Sequence, residues 1–90
     1  MFKIEDEIHA ELQPEDFPSF TAAVDELKRM AAIPWDEEPN KCPCSNWRNC
    51  GRTYQIVEYD TTQERWVELQ RIDFLAVSAS GTEWISAALD

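Results

Sequence analysis

The sequence has few of the residues on which most enzyme motifs depend. It contains two glycines, Gly51 and Gly81, and a single histidine, His9. A P-loop, a dinucleotide-binding motif and the G-x-S-x-G motif of hydrolases each need glycines at spacings that this chain does not offer. A cysteine nucleophile needs a nearby base, and His9 is the one imidazole that could supply it. The composition therefore predicts a protein that is not an enzyme.

Long apolar runs and a basic start are missing as well. No stretch approaches the roughly 18 apolar residues that a membrane span requires. The chain begins Met-Phe-Lys-Ile-Glu-Asp-Glu, whereas a secretory signal needs a basic start and an apolar run. We therefore expect a cytoplasmic protein without membrane contact, in which thiols stay reduced unless they bind metal or take part in redox chemistry. Its 90 residues predict a single domain, 1–90, with one core.

Positive charge is scarce, because eight Lys and Arg stand against 18 Asp and Glu, for a net charge of −10. Residues 39–52 are the exception, since they contain Lys41, Arg48 and Arg52 and no acid. An acidic body repels phosphates, so we expect no binding to nucleic acid. The same charge suits an acidic inhibitor, such as an immunity protein or a nucleic-acid mimic, that blocks a basic partner. It also serves plain solubility.

One amphipathic helix is predicted over residues 17–32. Its apolar residues recur at intervals of three and four, and charged residues occupy the opposite side. The apolar set is Phe20, Ala23, Val24, Leu27, Met30 and Ala31. Asp16 is the expected N-cap, Pro18 fits the first turn, and Pro34 ends the helix.

Strands are predicted on both sides of this helix. Residues 2–12 alternate between apolar and polar, which predicts a half-buried strand, and Asp6 marks a bulge or the point where the strand leaves the sheet. Further strands are expected at residues 53–59, 66–69, 73–79 and 82–87. The predicted fold class is α+β, with one amphipathic helix on an antiparallel meander of four to five strands. A long Cys- and Trp-bearing loop separates the helix from the meander, and the N-terminal strand adds to an edge.

Alternation along these strands predicts two apolar faces on the sheet. Tyr54, Ile56 and Phe74 are assigned to one face, and Val57 and Leu75 to the other. The single helix covers only one face. We expect the second face to be covered by the loop at 34–52, by a homodimer partner or by a foreign protein.

The leading hypothesis for function is therefore a non-catalytic protein-binding or regulatory module. Trp35, Trp47, Arg48 and Arg52 are its predicted contact residues, because tryptophan and arginine are frequent at binding hot spots. A structural alternative is that the two tryptophans anchor the loop onto the sheet.

The three cysteines, Cys42, Cys44 and Cys50, have the spacing C-x-C-x5-C. A structural zinc site needs four tetrahedral ligands, so His9 or Asp36 would have to supply the fourth. A second possibility is a transient disulfide between Cys42 or Cys44 and Cys50, which neighbouring basic residues favour by stabilising a thiolate. A third is three reduced thiols that only pack. The spacing alone leaves these possibilities open, with zinc as the one candidate cofactor.

Overall fold

A computed structural model describes residues 1–45 and 47–85, with Trp47 described by its backbone alone. Within these residues the elements are strands β1 (Phe2–Asp6) and β2 (Glu11–Phe17), helix α1 (Phe20–Ala31), a 3₁₀ turn (Trp47–Asn49), and strands β3 (Arg52–Asp60), β4 (Val67–Ser78) and β5 (Gly81–Trp84). The strands form one antiparallel sheet in the order β2-β1-β3-β4-β5. The predicted α+β class is confirmed, since helix α1 packs on this sheet and a long segment separates it from β3.

Helix α1 begins later than predicted. Ser19, rather than Asp16, is the N-cap, and its hydroxyl accepts a hydrogen bond from the backbone N–H of Ala22 at 3.1 Å. Asp16 and Phe17 belong to β2, where pairing with β1 holds them in an extended conformation. The helix buries one stripe of its surface, formed by Ala23, Val24, Leu27 and Met30. No helix among the described residues has the length and apolar character needed to cross a lipid bilayer.

The N-terminal segment is a hairpin and not one strand over residues 2–12. Strand β1 ends at Asp6, residues 7–10 form a turn, and β2 returns antiparallel to β1. The prediction that the strand leaves the sheet at Asp6 is confirmed, whereas its continuation to residue 12 is wrong. The alternation of apolar and polar residues continues through the turn, but it does not reflect burial there, because Ile8 and Leu12 are both exposed.

The C-terminal half is a meander of β3, β4 and β5, and β1 adds to the edge of β3 as predicted. The segments 66–69 and 73–79, predicted to be separate strands, fall largely within the single 12-residue strand β4. The pairing of β3 with β4 shifts register after Tyr54 and again after Glu58, and such bulges let a long strand bend without ending. The last two residues of the strand predicted at 82–87 lie outside the described residues.

The hydrophobic core lies between α1 and one face of the sheet. The sheet contributes Ile4, Phe17, Tyr54, Ile56, Phe74, Leu75 and Val77, all in one buried cluster with the helix. Residues assigned by alternation to different faces, such as Tyr54 and Leu75, are in fact cross-strand partners within this core. The assignment of Leu75 to a second apolar face is therefore wrong, because the register shift after Tyr54 changes which β4 residues face the helix.

The opposite face of the sheet is mostly polar, and the rings of Tyr59 and Trp66 pack together beside Lys3 on it. Val57 is buried there between its cross-strand neighbours Lys3 and Arg71. Lys3 forms an ion pair with Asp16, and Arg71 forms one with Glu5 at 3.2 Å. The long aliphatic stems of such side chains cover apolar atoms while their charged ends stay in water.

The segment between α1 and β3 packs beside the helix, on the core side of the sheet. The side-chain amide of buried Asn40 donates hydrogen bonds to the carbonyl oxygens of Met30 at 2.9 Å and Ile33 at 2.8 Å, at the end of the helix. The Tyr54 hydroxyl donates to Oδ1 of Asn40 at 3.0 Å, which joins the segment to β3. The expectation that this segment crosses the second face is therefore wrong.

Candidate metal centre

A histidine and two cysteines from distant parts of the chain meet at one end of the sheet. His9 lies in the turn after β1, while Cys44 and Cys50 flank the 3₁₀ turn before β3. One potential ligand atom of each residue lies within 4.8 Å of the other two. His9 Nε2 and Cys50 Sγ are 3.2 Å apart. Tetrahedral bonds from zinc to nitrogen and sulfur would place those atoms about 3.6 Å apart. The pair is therefore close enough for both atoms to bind one ion.

Cys42 lies beside this group without belonging to it. The residue precedes Cys44 by two positions and is only 7% exposed. Burial, together with the neighbouring Cys50 sulfur, raises the pKa of the Cys42 thiol to about 11. The three predicted cysteines thus share one neighbourhood, and all three are free thiols.

The two candidates for a fourth ligand have different positions. His9 is part of the group, and Asp36 is exposed and is not among the described residues that form it. In the alternating pattern of residues 2–12, His9 falls among the polar residues. The turn after Asp6 instead directs its imidazole toward the cysteines, so that a ring nitrogen lies within 4.8 Å of the Cys44 and Cys50 sulfurs.

Asp6 holds the histidine in place. Its carboxylate is completely buried and accepts hydrogen bonds from His9 Nδ1 at 2.6 Å and from Arg52 Nη1 at 3.0 Å. The backbone N–H groups of Ile8 and Thr53 also donate to it, each at 3.1 Å. Because Nδ1 donates to Asp6, Nε2 is left to face Cys50. A carboxylate in this position orients a metal-binding histidine and increases its basicity. The same hydrogen bond raises the pKa of His9.

Asp6 was not among the site residues predicted from the sequence. The available signal was its place as the one charged residue on the otherwise apolar side of the first strand. A carboxylate at such a position is buried, and a buried carboxylate requires charged or hydrogen-bonding partners. The partners themselves, His9 and Arg52, are distant in sequence and could not be assigned from spacing.

Arg52 is buried, although it was predicted to contact a partner. It is 3% exposed and forms ion pairs with Asp6 at 3.0 Å and Glu11 at 3.2 Å. Its guanidinium also donates to the carbonyl oxygens of Asn40 at 3.1 Å and Lys41 at 2.6 Å. These contacts fasten the start of the cysteine segment to the sheet. We therefore leave Arg52 out of any contact surface.

The other predicted contact residues lie in different places. Trp35 is partly buried and packs against the edge of the core, as the structural alternative expected. Arg48 lies in the exposed 3₁₀ turn, in which Trp47 is the first residue. Binding of a partner by Trp35, Trp47 and Arg48 stays a prediction.

No protein-family model, curated protein or solved structure matches this chain. The cluster itself is therefore the basis for assigning a function. Thiolate and imidazole together are the ligands of structural zinc sites. The order Asp6–His9–Cys50 also places a base next to a thiol, as in enzymes that use a cysteine nucleophile. The prediction that the protein is not an enzyme stays a prediction.

Proposed function

We propose that the protein is a small zinc-binding domain in which His9, Cys42, Cys44 and Cys50 hold one structural Zn²⁺. The observation that carries the proposal is the convergence of His9, Cys44 and Cys50 within 4.8 Å. Cys42 is the remaining cysteine of the same segment, and we assign it as the fourth ligand of a tetrahedral Cys₃His set.

The surroundings of the cluster support a metal ligand role for His9. Asp6 is buried, charged and hydrogen-bonded to Nδ1, which is the arrangement that supports histidines in zinc sites. Buried Arg52 adds a positive charge that partly offsets the negative charge of three thiolates around a divalent ion. A ligand set with this second layer of contacts is better organised than three thiols that merely pack.

The role of the metal is to fasten the cysteine segment to the first hairpin. Described residues 41–45 and 47–51 contain only the 3₁₀ turn as regular structure, and small domains with limited cores gain much of their stability from such a staple. Four protein ligands leave zinc without an open position, so the proposed site is structural and not catalytic.

The biological role that we propose is a non-catalytic protein-binding or regulatory module in the cytoplasm. The second face of the sheet is mostly polar, so it supports this role less than a fully apolar face would. The zinc-held segment supplies another, because Trp47 and Arg48 lie between the ligands Cys44 and Cys50. Zinc would fix the backbone that carries both residues, which lowers the entropy cost of binding a partner.

The test of zinc binding is native mass spectrometry of protein purified under reducing conditions without chelator. We expect one zinc ion per chain and loss of that ion in Cys44→Ser and Cys50→Ser. Asp36→Asn is the matched control, since Asp36 was the other candidate ligand, and it should keep the metal. Titration with Co²⁺ provides a second readout, because thiolate ligation gives a charge-transfer band. A wild-type chain that stays metal-free after zinc addition, or a loss of zinc in Asp36→Asn, would contradict the proposal.

A further inference from the structure

The two edges of the sheet differ in how well they are protected against pairing. Strand β2 forms one edge and contains Pro14, which has no N–H to donate, and the acids Glu15 and Asp16. Strand β5 forms the other edge, and all of its residues are exposed. Among the described residues no strand pairs with its outer side. Proline and charge keep an edge from joining other strands, and β5 has no proline and one acid.

The backbone of β5 shows which of its groups are free to pair. The N–H of Ile85 donates to the carbonyl oxygen of Phe74 at 2.8 Å, so this pair is hydrogen-bonded. Bonded and non-bonded pairs alternate along an antiparallel ladder. The N–H and C=O groups of Glu83 therefore face β4, whereas those of Thr82 and Trp84 face outward. The free edge thus offers a donor and an acceptor at every second residue.

The side chains of Thr82 and Trp84 lie on the helix side of the sheet. Their cross-strand partners in β4 are Val77 and Leu75, which belong to the core under α1. Trp84 is nevertheless 41% exposed. A large aromatic ring at a free edge is a candidate anchor for a partner strand.

A cavity of about 250 Å³ with a largely apolar lining opens beside the same edge. Its lining includes residues 31–35 at the end of α1, together with Gly81 and Thr82 at the start of β5. Trp35 forms part of this lining and packs against the edge of the core. The cavity and the exposed Trp84 therefore lie on one side of the sheet, near opposite ends of β5.

We propose that two copies of this chain associate through β5, in an antiparallel pairing with a two-fold axis at Thr82, and that Trp84 of each copy docks in the cavity of the other. Thr82 then lies opposite the partner's Thr82, and the two residues exchange both backbone hydrogen bonds. Trp84 lies opposite the partner's Ser80 and diagonal to its Thr82, which brings the ring within reach of the cavity. The two sheets become one continuous sheet.

Charge favours a second copy in this register. Glu83 is the one charged residue in the segment 78–85, although the chain has a net charge of −10. With the axis at Thr82, Glu83 faces the partner's Gly81. An axis one residue later would place Glu83 against the partner's Glu83 in a closely spaced non-bonded pair, where like charges are destabilising. A basic foreign strand would meet only a single carboxylate on this edge.

The experiment measures self-association of the full chain, reduced and zinc-free, by sedimentation equilibrium. We expect a reversible equilibrium of monomer and dimer, because an interface of one short strand and one tryptophan from each copy is small. Trp84→Ala should weaken the dimer by about tenfold or more. Leu12→Ala is the matched control, since Leu12 is also exposed but lies on β2 at the opposite edge, and it should leave the dimer unchanged.

A charge exchange at position 82 tests the register, because this position faces itself across the axis. Thr82→Lys and Thr82→Glu should each weaken self-association, since each places like charges opposite one another. An equal mixture of the two variants should form a heterodimer that is about tenfold tighter than either homodimer, as native mass spectrometry can count. The same exchange at Leu12 should give no such preference. Circular dichroism shows that each variant is folded before it is compared.

The outcomes decide this interface independently of the zinc site. A wild-type chain that stays monomeric at its highest soluble concentration, or a Trp84→Ala variant that dimerises like the wild type, overturns the proposal. A mixture of the Thr82 variants without preference for the heterodimer overturns the axis at Thr82. A zinc-free dimer that shows both effects supports the interface, whether or not the chain also binds zinc.

Discussion

The buried ion pair between Asp6 and Arg52 gives the sharpest prediction for stability. In Asp6→Asn the shape of the side chain is kept and its charge is lost, so the guanidinium of Arg52 stays buried without its main counter-ion. Removing one partner of a buried pair typically costs about 3–5 kcal/mol. Glu11 still contacts Arg52 and two carbonyl oxygens still accept from it, so we expect a loss near the lower end, about 3 kcal/mol. A chain of this length has about 5–13 kcal/mol in total, so the change is large.

The assay is urea unfolding of the reduced, zinc-free protein, which separates this effect from metal binding. Asp16→Asn is the matched control, because it breaks the exposed ion pair with Lys3 and should cost less than about 1 kcal/mol. The double variant Asp6→Asn, Arg52→Met removes both charges and should lose less than the two single losses added together. Additive losses, or an Asp6→Asn loss within the range of the control, would refute the reasoning.

The remaining predictions concern zinc affinity, pH, close packing and the core. Asp6→Asn should weaken zinc binding by about 10- to 100-fold in a chelator competition, because His9 loses its orienting partner. In zinc-free protein the raised pKa of His9 adds stability that is complete below about pH 6.5 and is lost as pH rises through the folded pKa. Acidification from about pH 8 to 6.5 should therefore raise the urea midpoint of the zinc-free protein. It should lower the midpoint of the zinc-loaded protein, because protons compete with zinc for the ligands. A midpoint that changes with pH in the same way in both forms would contradict this. Gly51→Ala should cost about 1–3 kcal/mol in thermal unfolding, since a Cβ would lie 2.9 Å from the carbonyl oxygen of Val77. Leu27→Ala should cost about 2–5 kcal/mol in urea unfolding, because the side chain is fully buried.

Local patterns predicted the parts of the fold that depend on local physics. The helix followed from its apolar spacing, and strand β3 followed from a run of β-branched and aromatic residues. The turn at residues 7–10 was hidden because Ala10, with φ 51°, takes a backbone conformation for which glycine or asparagine is the usual signal. The bulges in β4 were equally hidden, since register depends on cross-strand packing rather than on either strand alone.

The site was predictable in its residue types and only partly in its assembly. The C-x-C-x5-C spacing identified Cys42, Cys44 and Cys50, and the lone histidine was a candidate by elimination. The approach of His9 to Cys50 spans 41 positions in the chain, and the hairpin turn produces it, so no local pattern could show it. Arg52 was misjudged for the same reason, because its counter-ion Asp6 lies 46 positions away.

The strand order has a consequence for synthesis on the ribosome. β1 is made first, yet it sits between β2 and β3, and β3 is complete only at residue 60. Until then the hairpin and helix emerge with one edge of β1 unpaired. His9 cannot yet approach Cys44 and Cys50, because these residues are still inside the exit tunnel. The nascent first half therefore presents an open strand edge of the kind that other chains can join, and its polar composition protects it during that interval.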